Sequence, residues 1–452
     1  MENNQTLKEY NDNLQNALDM GEITLFRQYF LDIHPYDRAT FFKEQPEESR
    51  MKIYTFLSPE ETADLMEHIE LDDTGEYFSE MDPRFASAVL SEMAIDDAVD
   101  ILNEMEKDKV ASFLTIMNKD AAEEIKQLLH YEEKTAGSIM TTEFVALNKR
   151  STVAETMKQL KQEAPDAETI YYLYVVDEDK RLVGVLSLRD LIIADEDTLV
   201  RDIMNEKVVY VSVGRDQEEI AQMMKDYDFL AVPVVDFQKH LLGIITVDDI
   251  LDVMDEEASD DYSKFAAISD VDSPESNPFK AAKKRLPWLI ILLFLGMFTA
   301  SLISMFEETI SKVALLAAFI PVIAGTAGNS GTQALAVAVR GLATSEYGQG
   351  GKTRLMLKEA GTGLITGTAC GIVIALVIFL WKGQLFLGLL VGMTLLVALT
   401  VATLAGSVVP LIMDRMKIDP AVASGPFITT INDIISIMIY FGMATAFMQF
   451  LL

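Results

Sequence analysis

The run Gly425-Pro-Phe-Ile-Thr-Thr-Ile-Asn-Asp433-Ile-Ile-Ser-Ile-Met-Ile-Tyr440 sets one carboxylate, Asp433, inside an otherwise apolar stretch that continues to Leu452. At 1.5 Å per residue, a helix starting at Gly425 carries Asp433 roughly 12 Å inward, close to mid-bilayer. An ionised carboxylate at that depth is costly unless it faces water, a partner or a cation. Two readings follow: a functional residue that meets water, a partner or a cation, or a structural Asp bonded to a neighbouring helix. A second polar stretch interrupts another apolar run: Pro321-Val-Ile-Ala-Gly325-Thr-Ala-Gly328-Asn329-Ser-Gly331-Thr332-Gln333. Small residues let helices approach closely, and amides at membrane depth need partners or water. This stretch suits a cavity lining or a tight helix interface.

Carboxylates also gather outside the apolar runs. Asp96 and Asp100 lie four apart, on one helix face. Asp248, Asp249, Asp252, Asp255, Glu256, Glu257, Asp260 and Asp261 crowd one segment, with Asp248, Asp252 and Asp255 on one face and Asp249, Glu256 and Asp260 on another. Like charges this dense repel unless cations neutralise them, although a charge run is commonly a solvated face. The four histidines (His34, His68, His130, His240) show no ligand spacing, and no P-loop or Ser/His/Asp set occurs. No enzymatic activity is expected.

The chain of 452 residues has a formal charge of −33, unevenly spread. Residues 281–452 hold 11 Lys+Arg and 7 Asp+Glu, a net of +4, leaving −37 on residues 1–280. The acidic half argues against nucleic acid, which wants a basic footprint, and suits a surface that meets cations. The single cysteine, Cys370, excludes a disulfide framework or a cysteine zinc site. No signal peptide precedes the polar N-terminus, so the first half is expected in the cytoplasm.

Five segments are long and apolar enough to span a lipid bilayer: Leu286–Phe306, Val313–Val339, Ala360–Trp381, Leu385–Met413 and Gly425–Leu452. Lys283, Lys284, Arg285, Arg340, Lys352, Arg354, Lys358, Arg415 and Lys417 flank one side; only Lys312 and Lys382 flank the other. The excess predicts a multi-pass plasma-membrane protein with its N-terminus cytoplasmic and its C-terminus extracellular.

Two repeats organise the acidic half. Leu57-Ser-Pro-Glu-Glu-Thr-Ala-Asp-Leu and Met93-Ala-Ile-Asp-Asp-Ala-Val-Asp-Ile are offset by 36 residues, as are Met81-Asp-Pro-Arg-Phe-Ala and Met117-Asn-Lys-Asp-Ala-Ala. These read as short amphipathic helices stacked in a solenoid. Further on, Asp177, Gly184, Ser187 and Asp190 recur 59 residues later as Asp236, Gly243, Thr246 and Asp249. Each unit reads strand, turn, strand, helix, with the hydroxyl and the later carboxylate forming a helix-start cap.

The second repeat resembles a tandem cystathionine-β-synthase (CBS) domain pair. That resemblance implies an adenine-nucleotide site in which the hydroxyl and Asp meet ribose: Ser187 with Asp190, or Thr246 with Asp249. Tyr172 and Arg189 are the further candidates, and plain capping is the alternative. The whole assembly resembles the MgtE magnesium channel/transporter family, on the strength of Gly325–Gln333, Asp419-Pro420 and Thr430-Ile-Asn-Asp433 together with the domain order. The implied fold is a multidomain membrane protein: an all-α superhelical N domain (1–132), an α/β CBS-domain pair (133–257), a plug-like linker helix (258–284) and a five-helix transmembrane bundle (285–452). The implied function is inward Mg²⁺ conduction by a homodimer, gated by intracellular Mg²⁺, with ATP as a regulatory ligand. By resemblance the pore involves Asp433, Asn329, Thr332, Gly325 and Gly328. The implied cytoplasmic Mg²⁺ ligands are Asp96, Asp100, Asp216, Glu218, Asp228, Asp249, Asp252 and Glu257, with Asp261 on the linker helix, Asp419 near the membrane and Glu61 in the first repeat. Ala327 departs from an expected Gly, and Gly425 from a common Asn, so no side-chain contact is carried over at Gly425. A membrane-anchored nucleotide or metal sensor is the alternative function.

Overall fold

The structure, a computed structural model, describes residues 2–69, 71–268, 278–343 and 351–451. It divides into two compact units, Met1–Met254 and Asp255–Leu452. The Ser/Asp/Pro-containing stretch 269–277 of the expected linker lies outside the described residues.

The first unit opens with helices α1 (Glu2–Met20), α2 (Ile23–Asp32), α3 (Pro35–Lys43), α4 (Glu47–Phe56), α5 (Pro59–Met66), α6 (Leu71–Glu80), α7 (Pro83–Leu90), α8 (Ile95–Asn103), α9 (Lys107–Ile116) and α10 (Lys119–Leu128). From α2 onward a helix begins at every twelfth residue. The 36-residue repeat is therefore three short helices, not one structural unit. Local chemistry fixes these starts. Ser58 and Glu61 form a reciprocal capping box with Pro59 as first helical residue, and the Asp82 carboxylate accepts from the Arg84 amide beside Pro83. Helices two apart pack together: α3 on α5, α5 on α7, α7 on α9, α6 on α8 and α8 on α10. An aromatic core at the α2–α4 end includes Phe26, Phe30, Phe41 and Phe42, with Phe26 and Phe30 stacked at 5.1 Å.

Two three-stranded sheets follow. Strands β1 (Phe144–Asn148), β2 (Thr169–Val176) and β3 (Leu182–Ser187) pair in that order, parallel then antiparallel; β4 (Val211–Ser212), β5 (Ala231–Val235) and β6 (Leu241–Thr246) repeat the pattern. The expected strand–turn–strand–helix is thus the second half of each unit. A parallel strand and a helix precede it: α11 (Val153–Glu163) in the first unit and α14 (Gln217–Tyr227) in the second. The recurring Asp closes the hairpin. Asp177 Oδ1 accepts from the amides of Asp179 and Arg181, and Asp236 Oδ1 from those of Gln238 and His240. Helix α12 (Leu188–Ile193) leaves β3, α13 (Val200–Ile203) leads to the second unit, and α15 (Val247–Ala266) leaves β6.

The second unit holds α16 (Pro278–Ser304), α17 (Glu307–Lys312), α18 (Ile320–Ala343), α19 (Gly351–Lys382), α20 (Leu385–Arg415), α21 (Gly425–Ala446) and α22 (Met448–Leu451). Among the described residues five helices are long and apolar enough to cross a membrane, α18 together with the 3₁₀ turn Ala314–Phe319 that leads into it. The expected last span is shorter than drawn: it stops at Ala446, and α22 follows. Helices α19 and α20 pack along each other. Gly363, Gly367 and Gly371 recur every fourth residue of α19, and a Cβ at Gly371 would stand 2.5 Å from the Gly392 carbonyl.

Candidate functional site

Helix α18 runs unbroken through the polar stretch, with two unlike faces. Gly325, Asn329 and Gln333, four apart, are exposed, whereas Gly328 and Gly331 are buried. The buried glycines meet α21. A Cβ at Gly328 would stand 2.7 Å from Thr429 Cγ2 and 3.6 Å from Asp433 Oδ1. Thr332 Oγ1 lies 3.1 Å from Thr429 Oγ1. Asp433 is half-buried, and its Oδ1 has no hydrogen-bond partner in the protein. Asn432, one residue earlier, turns inward against Gly331 and is 1 % exposed, with neither amide atom paired. A helical carboxylate therefore adjoins a glycine-lined helix whose other face carries exposed amides.

The end of α15 packs at the start of α21. Phe265 lies against the cluster of Leu335, Ala423 and Ile428, and its carbonyl stands 3.5 Å from where a Gly425 Cβ would be. The position that departs from Asn is thus faced by the Thr332 methyl at 3.4 Å and by this carbonyl. Lys264 Nζ bonds Asp419 at 2.7 Å, while Asp419 Oδ1 accepts from the Ala421 amide at 2.8 Å and caps a 3₁₀ turn. Burial first, then the Asp419 charge, pushes the Asp261 carboxyl above the usual range. Asp261 and Asp419 are therefore neighbours, with Lys264 between opposing demands.

In the first unit Asp96 is buried, its Oδ1 unpaired, and burial with the nearby Asp97 and Asp249 charges holds its carboxyl well above normal. Asp249 is pushed up by burial, although Thr246 donates to it through both its amide and its hydroxyl. The structure adds residues the motifs did not single out. Burial, then Glu67, lifts Asp97 to about 8, and Glu168 is raised by burial and then by Asp249. Only folding brings positions 67, 97, 168 and 249 together, so no sequence spacing marks them.

Other expected ligands are held elsewhere. Glu61 closes the α5 capping box and pairs with Arg27 at 2.5 Å. Asp216 caps the start of α14 by accepting the Glu218 amide, and Asp228 ends the same helix in the left-handed region at φ 53°. An 11-residue helix separates the two by roughly 16 Å, so one ion cannot touch both. Asp100 lies on α8 with Asp96, and Asp252 and Glu257 on α15. Among the described residues no three His, Cys, Asp or Glu side chains converge to chelate an ion.

The first CBS repeat carries a cleft of about 560 Å³ lined by Tyr171, Tyr172, Ser187, Arg189 and the apolar residues of α12. Ser187 Oγ donates to Asp190 Oδ2 at 2.6 Å and accepts the Asp190 amide at 3.1 Å, so the cap forms, and Ser187 lines the cleft. Arg189 lines the same cleft and carries the charge that phosphate pairs with. The residue 59 later is Asp248, of opposite charge, and Asp249 belongs to the acidic cluster. Of the two nucleotide positions left open by the repeat, the first has the matching charge. An adjoining cavity of about 160 Å³ shares Tyr172 and includes Phe229.

Three families match in order along the chain: the MgtE intracellular N domain over residues 33–134, the CBS domain over 136–197 and 200–256, and the MgtE divalent cation transporter over 320–443. The chain is 54 % identical to the magnesium transporter MgtE of Enterococcus faecalis over the whole of both proteins. It is 40 % identical to that of Bacillus subtilis over 95 % of each chain, and 38 % identical to that of Thermus thermophilus over 96 % of this chain and 98 % of the relative. Its fold is similar to the crystal structure of the soluble part of a magnesium transporter, with TM-score 0.54 and 50 % identity over 56 % of this chain and 99 % of the other. A second similar structure is the cytosolic domain of the Mg²⁺ channel MgtE in complex with ATP, with TM-score 0.52 and 42 % identity over 54 % and 99 %. Full-length identity and the ordered match of all three domains show that this chain belongs to the MgtE family of divalent-cation transporters.

Proposed function

We propose that this protein conducts Mg²⁺ inward across the cell membrane as a homodimer, and that cytoplasmic Mg²⁺ closes it. The observation that carries the reading is Asp433: a half-buried carboxylate on a spanning helix, with one oxygen unpaired against Gly328. Mg²⁺ dehydrates reluctantly and is held by one or two carboxylates through its waters. Two copies of Asp433 near a two-fold axis supply such a pair. Exposed Asn329 on α18, with Thr332 nearby and Gly325 leaving room, offers amide, hydroxyl and carbonyl groups to the hydration shell. The membrane potential contributes about 2.3 kcal/mol per charge per 100 mV, so no catalytic or energy-coupling step is required.

The N domain (1–132), CBS pair (133–257) and linker (258–284) form the sensing half, on the cytoplasmic side by the Lys/Arg asymmetry, and 285–452 forms the pore. Asp96 and Asp100 with Asp249 and Asp252 hold hydrated cations in the first unit. Asp261 and Asp419 do so where α15 meets the start of α21. Scarce cations leave these carboxylates repelling one another, which favours a looser, open state. Moving the equilibrium from 1:99 to 99:1 needs about 5.5 kcal/mol of differential binding, which several ions can share. ATP takes the first CBS cleft, with phosphates at Arg189, ribose at Ser187 and Asp190, and base toward Tyr172. Mg²⁺ uptake into liposomes, with internal Mg²⁺ clamped at micromolar or millimolar levels, tests the reading. Uptake only at the low level is expected. No uptake at either level would favour a membrane-anchored sensor.

A further inference from the structure

The two CBS repeats place equivalent positions around the 160 Å³ cavity with unlike chemistry. Tyr172 and Tyr174 of β2 lie 59 residues before Ala231 and Pro233 of β5, and all four line it. The second repeat thus leaves room, and the first fills it with two phenols. Tyr174 is 1 % exposed, yet its hydroxyl has no hydrogen-bond partner in the protein. Burying an unpaired hydroxyl is unfavourable, and phenylalanine would pack there without that cost. Part of the other polar capacity around the cavity is already used. Asn205 exchanges backbone hydrogen bonds with Val185, and its Oδ1 accepts the Lys207 amide at 3.0 Å.

Ligand pockets for drug-sized molecules run about 300–1,000 Å³, so the wide cleft can take the bulk of a nucleotide and the narrow cavity only a flat ring. Tyr172 belongs to both. The inference rests on the nucleotide reading given above. We propose that the Tyr174 hydroxyl is the group that reads the polar edge of the bound base. An apolar slot alone accepts any flat ring. A hydroxyl that must find a partner there selects a ring bearing nitrogen or an exocyclic amine, because other rings leave it unpaired. Binding then repairs a defect of the ligand-free protein.

The test compares wild type with Tyr174→Phe as full-length protein in detergent. ATP affinity is measured by calorimetry at millimolar Mg²⁺, and the melting temperature is measured without nucleotide. The variant should bind ATP about tenfold more weakly, equivalent to about 1.4 kcal/mol, and should melt no lower than wild type when ligand-free. Wild-type ATP affinity in Tyr174→Phe overturns the inference and leaves the nucleotide reading standing. A clearly lower ligand-free melting temperature also overturns it, because the hydroxyl then has a partner in the protein. Failure of the wild type to bind ATP removes the nucleotide reading itself.

Discussion

Replacing Asp97 by Asn should remove about one proton from the pH dependence of the stability of the first unit. Asp97 lies in the first turn of α8, beside Asp96, and faces Glu67, Asp249, Asp100 and Glu168. Its carboxyl is pushed up to about 8, chiefly by burial and then by the Glu67 charge. A folded pKa above the unfolded one gives stability that is complete below the ordinary carboxylate range and is lost as pH rises toward 8. Across that window the folded state holds one more proton than the unfolded state, so stability falls by about 1.4 kcal/mol per pH unit for this group. From pH 5 to pH 7 the loss is about 2.7 kcal/mol, on the order of 100-fold in the folded ratio. Asp96, Glu67, Asp249 and Glu168 are shifted the same way, so the wild-type slope exceeds one proton. The assay is urea unfolding of the first unit followed by circular dichroism, on the full chain in detergent with EDTA, at pH 5, 6 and 7. Wild type should lose stability across the series, and Asp97→Asn should lose about one proton's worth less. Millimolar Mg²⁺ should flatten the wild-type slope by supplying the missing charge. Equal slopes for the two proteins, or no wild-type slope at all, would refute the reasoning.

Three further outcomes follow from other contacts. Gly371→Val sets side-chain carbons against the Gly392 carbonyl and should lower the detergent melting temperature markedly, whereas Gly361→Ala, where a Cβ meets nothing within 4 Å, should change it little. Arg189→Asp copies the charge of the second repeat at Asp248 and should weaken ATP binding more than tenfold by calorimetry. Lys264→Met removes the cation bonded to Asp419 and leaves Asp261 and Asp419 opposed, so the Mg²⁺ concentration that half-closes the pore in flux assays should fall severalfold.

Sequence spacing reached the features that are local. The turns closed by Asp177 and Asp236 and the Ser187–Asp190 cap all act within four residues, and each forms as the spacing implies. The spans were legible from composition, because lipid demands long apolar helices. The twelve-residue helix period was hidden behind its 36-residue multiple, since only every third helix repeats its sequence closely. Strand β4, two residues long, is too short to show alternation. Glu67, Asp97 and Glu168 join the acidic cluster through tertiary packing. The Tyr174 hydroxyl is ordinary in sequence and unusual only once its surroundings are seen. Glu61 shows the converse: an expected ligand occupied by a cap and an arginine.

The central claim is that Asp433 is the ion site of the pore. The most direct measurement is Mg²⁺ uptake into liposomes at low internal Mg²⁺, comparing wild type with Asp433→Ala and Asp433→Asn, each checked for folding and dimerisation by size-exclusion chromatography. Both substitutions remove the only carboxylate of α21, the spanning helix that faces Gly328. Uptake should fall to the level of empty liposomes in both variants while the elution profile is unchanged. Wild-type uptake in either variant would contradict the assignment and leave Asp433 a structural residue of the helix bundle.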